Sequence, residues 1–386
     1  DGLGVGQMRT VTNVSFSTNS QGVVTSVALT LNSPWTVTPS STSKIDVCST
    51  AYNDVVYKNN LQDQTGANGA ATDWAATGIE VFEGAYGLIL DGNTTDNLNG
   101  GISFWSYGVE NPVYFIQAIN NNIENSQEYG IAYVPTPTQN LGNSTIFADP
   151  DPNFIGVTLR NNTITGTPEG IALLMPQSTS AAMNNRSQAV TGTVTLSVVE
   201  QNTISSLDSF TGQYQATGGF YNQFNKTAGI AVFTDPNVLI YQNTVNAGTS
   251  GSPPPAVWFA DASPGALLQN NTYQDYSASQ IYAGTILGGT LELPQEVYSQ
   301  TLAPGVTIQT PISLQNDGAT SLNWTGSSSA SWLTFLSPSG SVANENSNIA
   351  SLVFNTNGLA AGTYSATVTI TNGLQTKNLS VLLTVN

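Results

Sequence analysis

The chain of 386 residues contains no histidine, one cysteine and only seven Lys and Arg residues. Each scarcity closes off a class of chemistry. Without His there is no common general base near neutral pH, no imidazole metal ligand, and no Ser-His or Cys-His nucleophile pair. Zinc and other transition-metal sites lose most of their usual ligands. Cys48 is alone, so no intrachain disulfide exists, and a buried, inert thiol is its simplest state. Seven cations against 24 Asp and Glu give a formal charge of -17, which opposes binding to nucleic acid and to anionic membrane surfaces. No run of about 18 apolar residues is present, so nothing reads as a membrane-spanning helix. No Gly-rich phosphate loop opens a helix. The chain begins at Asp1 with neither an initiator Met nor a charged apolar leader, the expectation for a processed N-terminus.

What remains is a polar, uncharged chain. Charged residues make up 8%, hydrophobic residues 39% and aromatic residues 9%, enough apolar surface for a large core and against general disorder. Ser, Thr, Asn and Gly fill the rest, the composition expected of a secreted, β-rich protein at or beyond the cell surface.

One phrase recurs: an Asn, a polar residue and an apolar residue, then in several copies a Gly-Ile pair. It appears at Asn121-Asn122-Ile123 with Gly130-Ile131, and at Asn162-Thr163-Ile164 with Gly170-Ile171. Related forms start at Asn59, Asn93, Asn202, Asn243 and Asn271, so successive Asn residues lie 34, 28, 41, 40, 41 and 28 apart. Such a period signals stacked supersecondary units. Each unit carries three short apolar stretches joined by Asn and Gly, which tolerate the left-handed backbone of tight turns. Three strands per unit and nearly no helical periodicity predict a parallel β-helix of about seven coils. Stacked Asn side chains at equivalent turns are expected to hydrogen-bond from coil to coil. Spacings near 28 fit a bare coil. Those near 41 require insertions, placed at 135–152, 176–191, 207–227 and 247–255, where function is readily grafted.

From about Glu292 the Asn repeat stops and strands of alternating polarity follow, predicting a β-sandwich. The fold class is therefore all-β. Residues 1–50 read as an N-terminal arm and cap, 51–291 as the parallel β-helix, and 292–386 as an immunoglobulin-like sandwich.

Two resemblances accompany these patterns. Ser331-Trp332-Leu333, Ser337-Pro338-Ser339-Gly340 and Leu359-Ala360-Ala361-Gly362-Thr363-Tyr364 make the last 90 or so residues similar to the BACON-type modules of secreted bacterial proteins. That resemblance implies a bacterial, carbohydrate-related or surface context. Residues 50–290 or so resemble the right-handed parallel β-helix repeats of polysaccharide lyases, hydrolases and tailspikes. The Arg-rich signatures of pectate lyases and the His-containing motifs of polygalacturonases are missing.

Candidate chemistry falls to carboxylates. Asp149 and Asp151, two apart in an extended Asp-Pro-Asp-Pro stretch, have a spacing open to a glycosidase pair, as do Glu80 and Glu83. The simpler reading is a rigid Pro-punctuated turn for the first pair and solvated strand ends for the second. Asp91 and Asp96 flank the Asn93 turn and are candidates for Ca²⁺. Trp74, Trp105 and Trp258 are candidates for stacking on sugar, or for filling the core. Asn143, Asn185 and Asn225 are glycosylation candidates in loops. Gly2-Leu3-Gly4-Val5-Gly6 alternates Gly with apolar residues, a pattern able to add a strand to a sheet edge. With an edge-bearing sandwich at the other end, this arm suggests head-to-tail association into rings or filaments; the other reading is that residues 1–8 cap the chain's own β-helix. The expected function is thus an extracellular structural subunit whose partners are copies of itself, with loop Asn residues available for a glycan coat. The alternative is a secreted polysaccharide-binding or polysaccharide-degrading protein.

Overall fold

The computed structural model describes residues 7, 9–40, 54–62, 77–82, 85–98, 100–107, 113–126, 128–136, 154–173, 194–195, 197–207, 228–232, 238–248, 253–259, 266–284 and 288–386. Residues 1–50 form one compact unit and residues 51–386 a second.

The second unit starts with a parallel β-helix. Three seven-stranded parallel sheets run its length, from Val55–Tyr57 to Leu267–Gln269, from Asn60–Gln62 to Thr272–Gln274, and from Thr77–Phe82 to Tyr282–Gly284. In four coils a short strand precedes the first sheet, and Ala85–Tyr86, Val113–Tyr114, Phe154–Ile155 and Val194–Thr195 pair as a fourth sheet.

The turn between the first two sheets explains the repeat. Lys58, Gly92, Asn120, Asn161, Gln201, Gln242 and Asn270 all adopt positive φ, from 52° to 66°. Each is followed by the recurring Asn. The Nδ2 of each such Asn donates to the Oδ1 of its counterpart in the next coil, from Asn59 through Asn271, at 2.9–3.1 Å. From Asn93 onward the same amide also donates to a carbonyl of the preceding coil, as Asn162 does to Ala118 at 2.9 Å. The ladder therefore satisfies buried backbone and side-chain groups together.

In-register columns of apolar side chains fill the interior. Leu90, Ala118, Leu159, Val199, Ile240 and Leu268 stack on the first sheet, and Ile123, Ile164, Ile204 and Val245 on the second, all 0% exposed. Each large member contributes roughly 1.5–3 kcal/mol by leaving water. Phe104 and Tyr133 of the third sheet stack face to face, centroids 4.9 Å apart.

The C-terminal sandwich packs a four-stranded sheet on a five-stranded one around Leu314, Leu333, Leu352, Phe354, Val368, Leu379 and Leu383. Trp332 lies 6.2 Å from Phe354 and 6.4 Å from Tyr364, centroid to centroid. The Tyr364 hydroxyl donates to the carbonyl of Ala360 at 2.8 Å, a tyrosine corner.

Two loops of the sandwich close the last coil of the helix. Leu268 N–H donates to the Asp317 carbonyl at 2.7 Å, and Gln269 Nε2 to the Asp317 carboxylate at 3.0 Å. Asn271, the last ladder residue, donates from Nδ2 at 2.8 Å and from its backbone N at 3.3 Å to one oxygen of Glu345. Along the ladder the next Asn Oδ1 accepts the same two bonds, as Asn271 does from Asn243. The Glu345 carboxylate thus occupies the place of an eighth Asn. Its second oxygen accepts from Tyr273 at 2.7 Å and from Tyr282.

Among the described residues, the first unit holds one antiparallel hairpin of β1 (Val11–Thr18) and β2 (Val24–Leu31). Asn19 Oδ1 accepts from Gln21 N and Val23 N, and Gly22 at φ 76° completes the turn.

Candidate functional site

The strands of the third sheet begin at a polar corner. Thr77, Gly100, Tyr129 and Glu169 occupy one register column. Tyr129 reaches back over Gly100 to the Thr77 hydroxyl, 3.0 Å between oxygens. A Cβ on Gly100 would lie 2.4 Å from the Tyr129 ring, so the crossing requires glycine. Burial raises the Tyr129 phenol far above its ordinary range, and the charges of Glu128 and Glu80 add to the effect.

One coil on, Glu169 is 0% exposed and neither carboxyl oxygen has a hydrogen-bond partner. Burial, followed by the neighbouring charge of Glu128, pushes its pKa well above the carboxylate range. Burial thus favours the protonated form of Glu169. Glu128 is itself only 2% exposed. A neutral carboxylic acid beside a second carboxylate is the division of labour used in glycoside hydrolysis. Here both groups are buried, and burial favours a proton on Glu169.

Among the described residues, those singled out from the sequence lie at separate places on the helix. Glu80 lies on Thr77–Phe82 beside Ser103 in register, exposed, with partial burial raising its carboxyl pKa. Asp91 accepts from Asn120 Nδ2 at 2.8 Å and Asp96 from Asn125 Nδ2 at 2.9 Å, so each carboxylate serves its own coil-to-coil contact. Among the described residues no group of three or more potential ligands gathers for a metal. Trp258 sits between Ala231 and Ala283 in register, partly buried against the helix core. Trp105 pairs with Val134 and Phe82 in the third sheet. Gly2, Leu3, Gly4, Val5, Gly6, Cys48, Trp74, Glu83, Asn143, Asp149, Asp151, Asn185 and Asn225 lie outside the described residues, as do most of the insertions between coils.

Sequence reasoning passed over a different surface. In the hairpin, Val14 pairs with Leu29 and Phe16 with Val27, so the four side chains share one face. They are 44%, 37%, 63% and 52% exposed respectively. Isolated two-stranded hairpins are marginal in water. The face of four apolar side chains on this hairpin is open in the structure. The alternation of Val14 and Phe16 was the legible signal, but alternation alone does not say that the face stays open.

No protein-family model matches the chain, and no curated protein matches it. Solved structures similar to part of it include PapD-like domain 7 of human CEP192, at 16% identity over 25% of this chain and 84% of that one, TM-score 0.22. Others are a family 123 glycoside hydrolase from Clostridium perfringens (12% identity, 26% and 27% covered, TM-score 0.23) and the periplasmic chaperone SfaE (12%, 25% and 58%, TM-score 0.22). The chain thus spans less than two thirds of the latter two. Likenesses at these scores bear on neither mechanism nor partner.

Proposed function

We propose that this protein is an extracellular structural subunit that associates head-to-tail with copies of itself, and that the β1–β2 hairpin is its adhesive surface. The open face of Val14, Phe16, Val27 and Leu29 carries this reading. Two features of the second unit support it. The helix end at Asn271 is occupied by Glu345 of the chain's own sandwich, so coils of two copies do not stack there. At the opposite end Val55 and Tyr57 of the first coil are 54% and 53% exposed. In this reading the hairpin face meets a different surface of the next copy, and a contact of that kind repeats into a ring or filament. The Gly2–Gly6 segment, outside the described residues, keeps its proposed role as an assembly arm. The tyrosine corner of Tyr364 suits an immunoglobulin-like sandwich, and the proposed BACON type rests on the sequence phrases alone.

The test is the association state of the full chain, followed by light scattering and electron microscopy across concentration. Oligomers or filaments are expected, with the double variant Phe16→Ser, Val27→Ser reduced to monomers at unchanged Tm. Each apolar side chain buried in such a contact contributes roughly 1.5–3 kcal/mol, so loss of two should weaken association at least about a hundredfold. A wild-type chain that stays monomeric at every concentration overturns the proposal.

A further inference from the structure

Counting back six residues from a ladder Asn reaches Gly87, Phe115 and Gly156 in three successive coils. All three sit at the corner after the short fourth sheet with positive φ, 63°, 55° and 68°. Gly is at ease there, whereas a bulky side chain is a genuine outlier. Among the described non-Gly residues with positive φ, Phe115 alone has an apolar side chain. Strain of this kind persists where the surroundings hold it and function uses it.

The ring does not serve the core. Tyr86, Tyr114 and Phe115 are all partly exposed, and none packs against the buried cluster of the β-helix, which Ile116 enters instead. The Phe115 ring lies over the next coil's Gly156, where a Cβ would come within 2.5 Å of it. It meets Tyr86 edge-on, centroids 6.0 Å apart at 78°, and Tyr114 at 6.4 Å and 47°. Three rings from two adjacent coils therefore form one patch on the outside of the helix, apolar in its faces and bearing two phenolic hydroxyls.

We propose that Tyr86, Tyr114 and Phe115 form a stacking platform for a neutral polysaccharide. Aromatic faces bury the C–H faces of sugar rings, while the Tyr86 hydroxyl offers a hydrogen bond at the edge. The formal charge of -17 selects against acidic polymers and leaves neutral ones. The platform does not depend on self-association.

The experiment uses the full chain and measures its retention on xylan, laminarin and cellulose, with polygalacturonate as the acidic control. The variants are Phe115→Asn, which places at this corner a residue that fills left-handed positions at other turns, and Tyr86→Ala. The wild type is expected to bind at least one neutral polymer and not polygalacturonate. Each variant should weaken that binding about tenfold or more. The Tm of Phe115→Asn should stay within about 2 °C of wild type, because a strained residue has been replaced by a tolerant one. Wild-type chain retained by no neutral polymer, or equal binding by the variants, overturns the proposal. A fall in Tm of more than about 5 °C in Phe115→Asn also overturns it, because the ring would then be structural. Association state, read in parallel, separates this result from the fate of the hairpin reading.

Discussion

At the scale of single residues, Glu169 sets a pH dependence that runs against the usual carboxylate. Its pKa is raised in the folded protein by burial and by Glu128, so the native state holds a proton that the unfolded chain releases. Stability from this group is therefore full below the unfolded value near 4.5 and falls as pH rises above it. Tyr129 and the exposed Glu80 lie close enough to feel the same region, and neither supplies a compensating cation. Acidification from pH 7.5 to 5 should raise the Tm of the wild type. Glu169→Gln, which cannot ionise, should be more stable at pH 7.5 and show a flatter slope over the same range. Thermal unfolding of both proteins across that range checks this, and parallel slopes would refute it. The signal was present in the sequence, since Glu128 and Glu169 each lie seven residues beyond a ladder Asn. Nothing in the sequence said that both would be buried.

At the scale of the coil, the Asn ladder is the element most legible from sequence, because one side chain performs one task at one turn in every repeat. Asn59, Asn93, Asn121, Asn162, Asn202, Asn243 and Asn271 were identifiable by spacing alone, and each takes its place in the ladder. The residue before each Asn was harder to read. Lys58, Gln201 and Gln242 adopt the left-handed conformation as Asn and Gly do, so the turn overrides their preference. Depth along the ladder decides what a deletion costs. Asn162 donates to Ala118 and Asn202 and accepts from the side chain and backbone of Asn121, and it is 1% exposed. Asn162→Ala orphans buried groups on both neighbouring coils and should cost about 3 kcal/mol or more. Asn59→Ala, at the exposed first rung, should cost under about 1 kcal/mol. Equal shifts in the denaturation midpoint for the two variants would refute a role for burial in the ladder's strength.

At the scale of the molecule, the sandwich is the cap without which the helix would end in unpaired groups. Glu345 lies 74 residues from Asn271, in a loop whose sequence carries no ladder signature, so no spacing argument links the two. Its role becomes visible only when the loop folds back, at φ 51°, and presents a carboxylate where an eighth Asn would stand. A single side chain then serves Asn271, Tyr273 and Tyr282 at once. Glu345→Ala leaves those donors without an acceptor at a partly buried junction, and should cost about 2–4 kcal/mol. Glu345→Gln keeps an oxygen in place for Asn271 and should cost under about 1 kcal/mol. The distinctive result concerns cooperativity. The wild type should unfold residues 51–386 in one calorimetric transition, because helix and sandwich share this junction, whereas Glu345→Ala should split it into two. One undivided transition in the Ala variant, at the wild-type temperature, would show that the core around Ala319 and the Asp317 contacts couple the domains without Glu345.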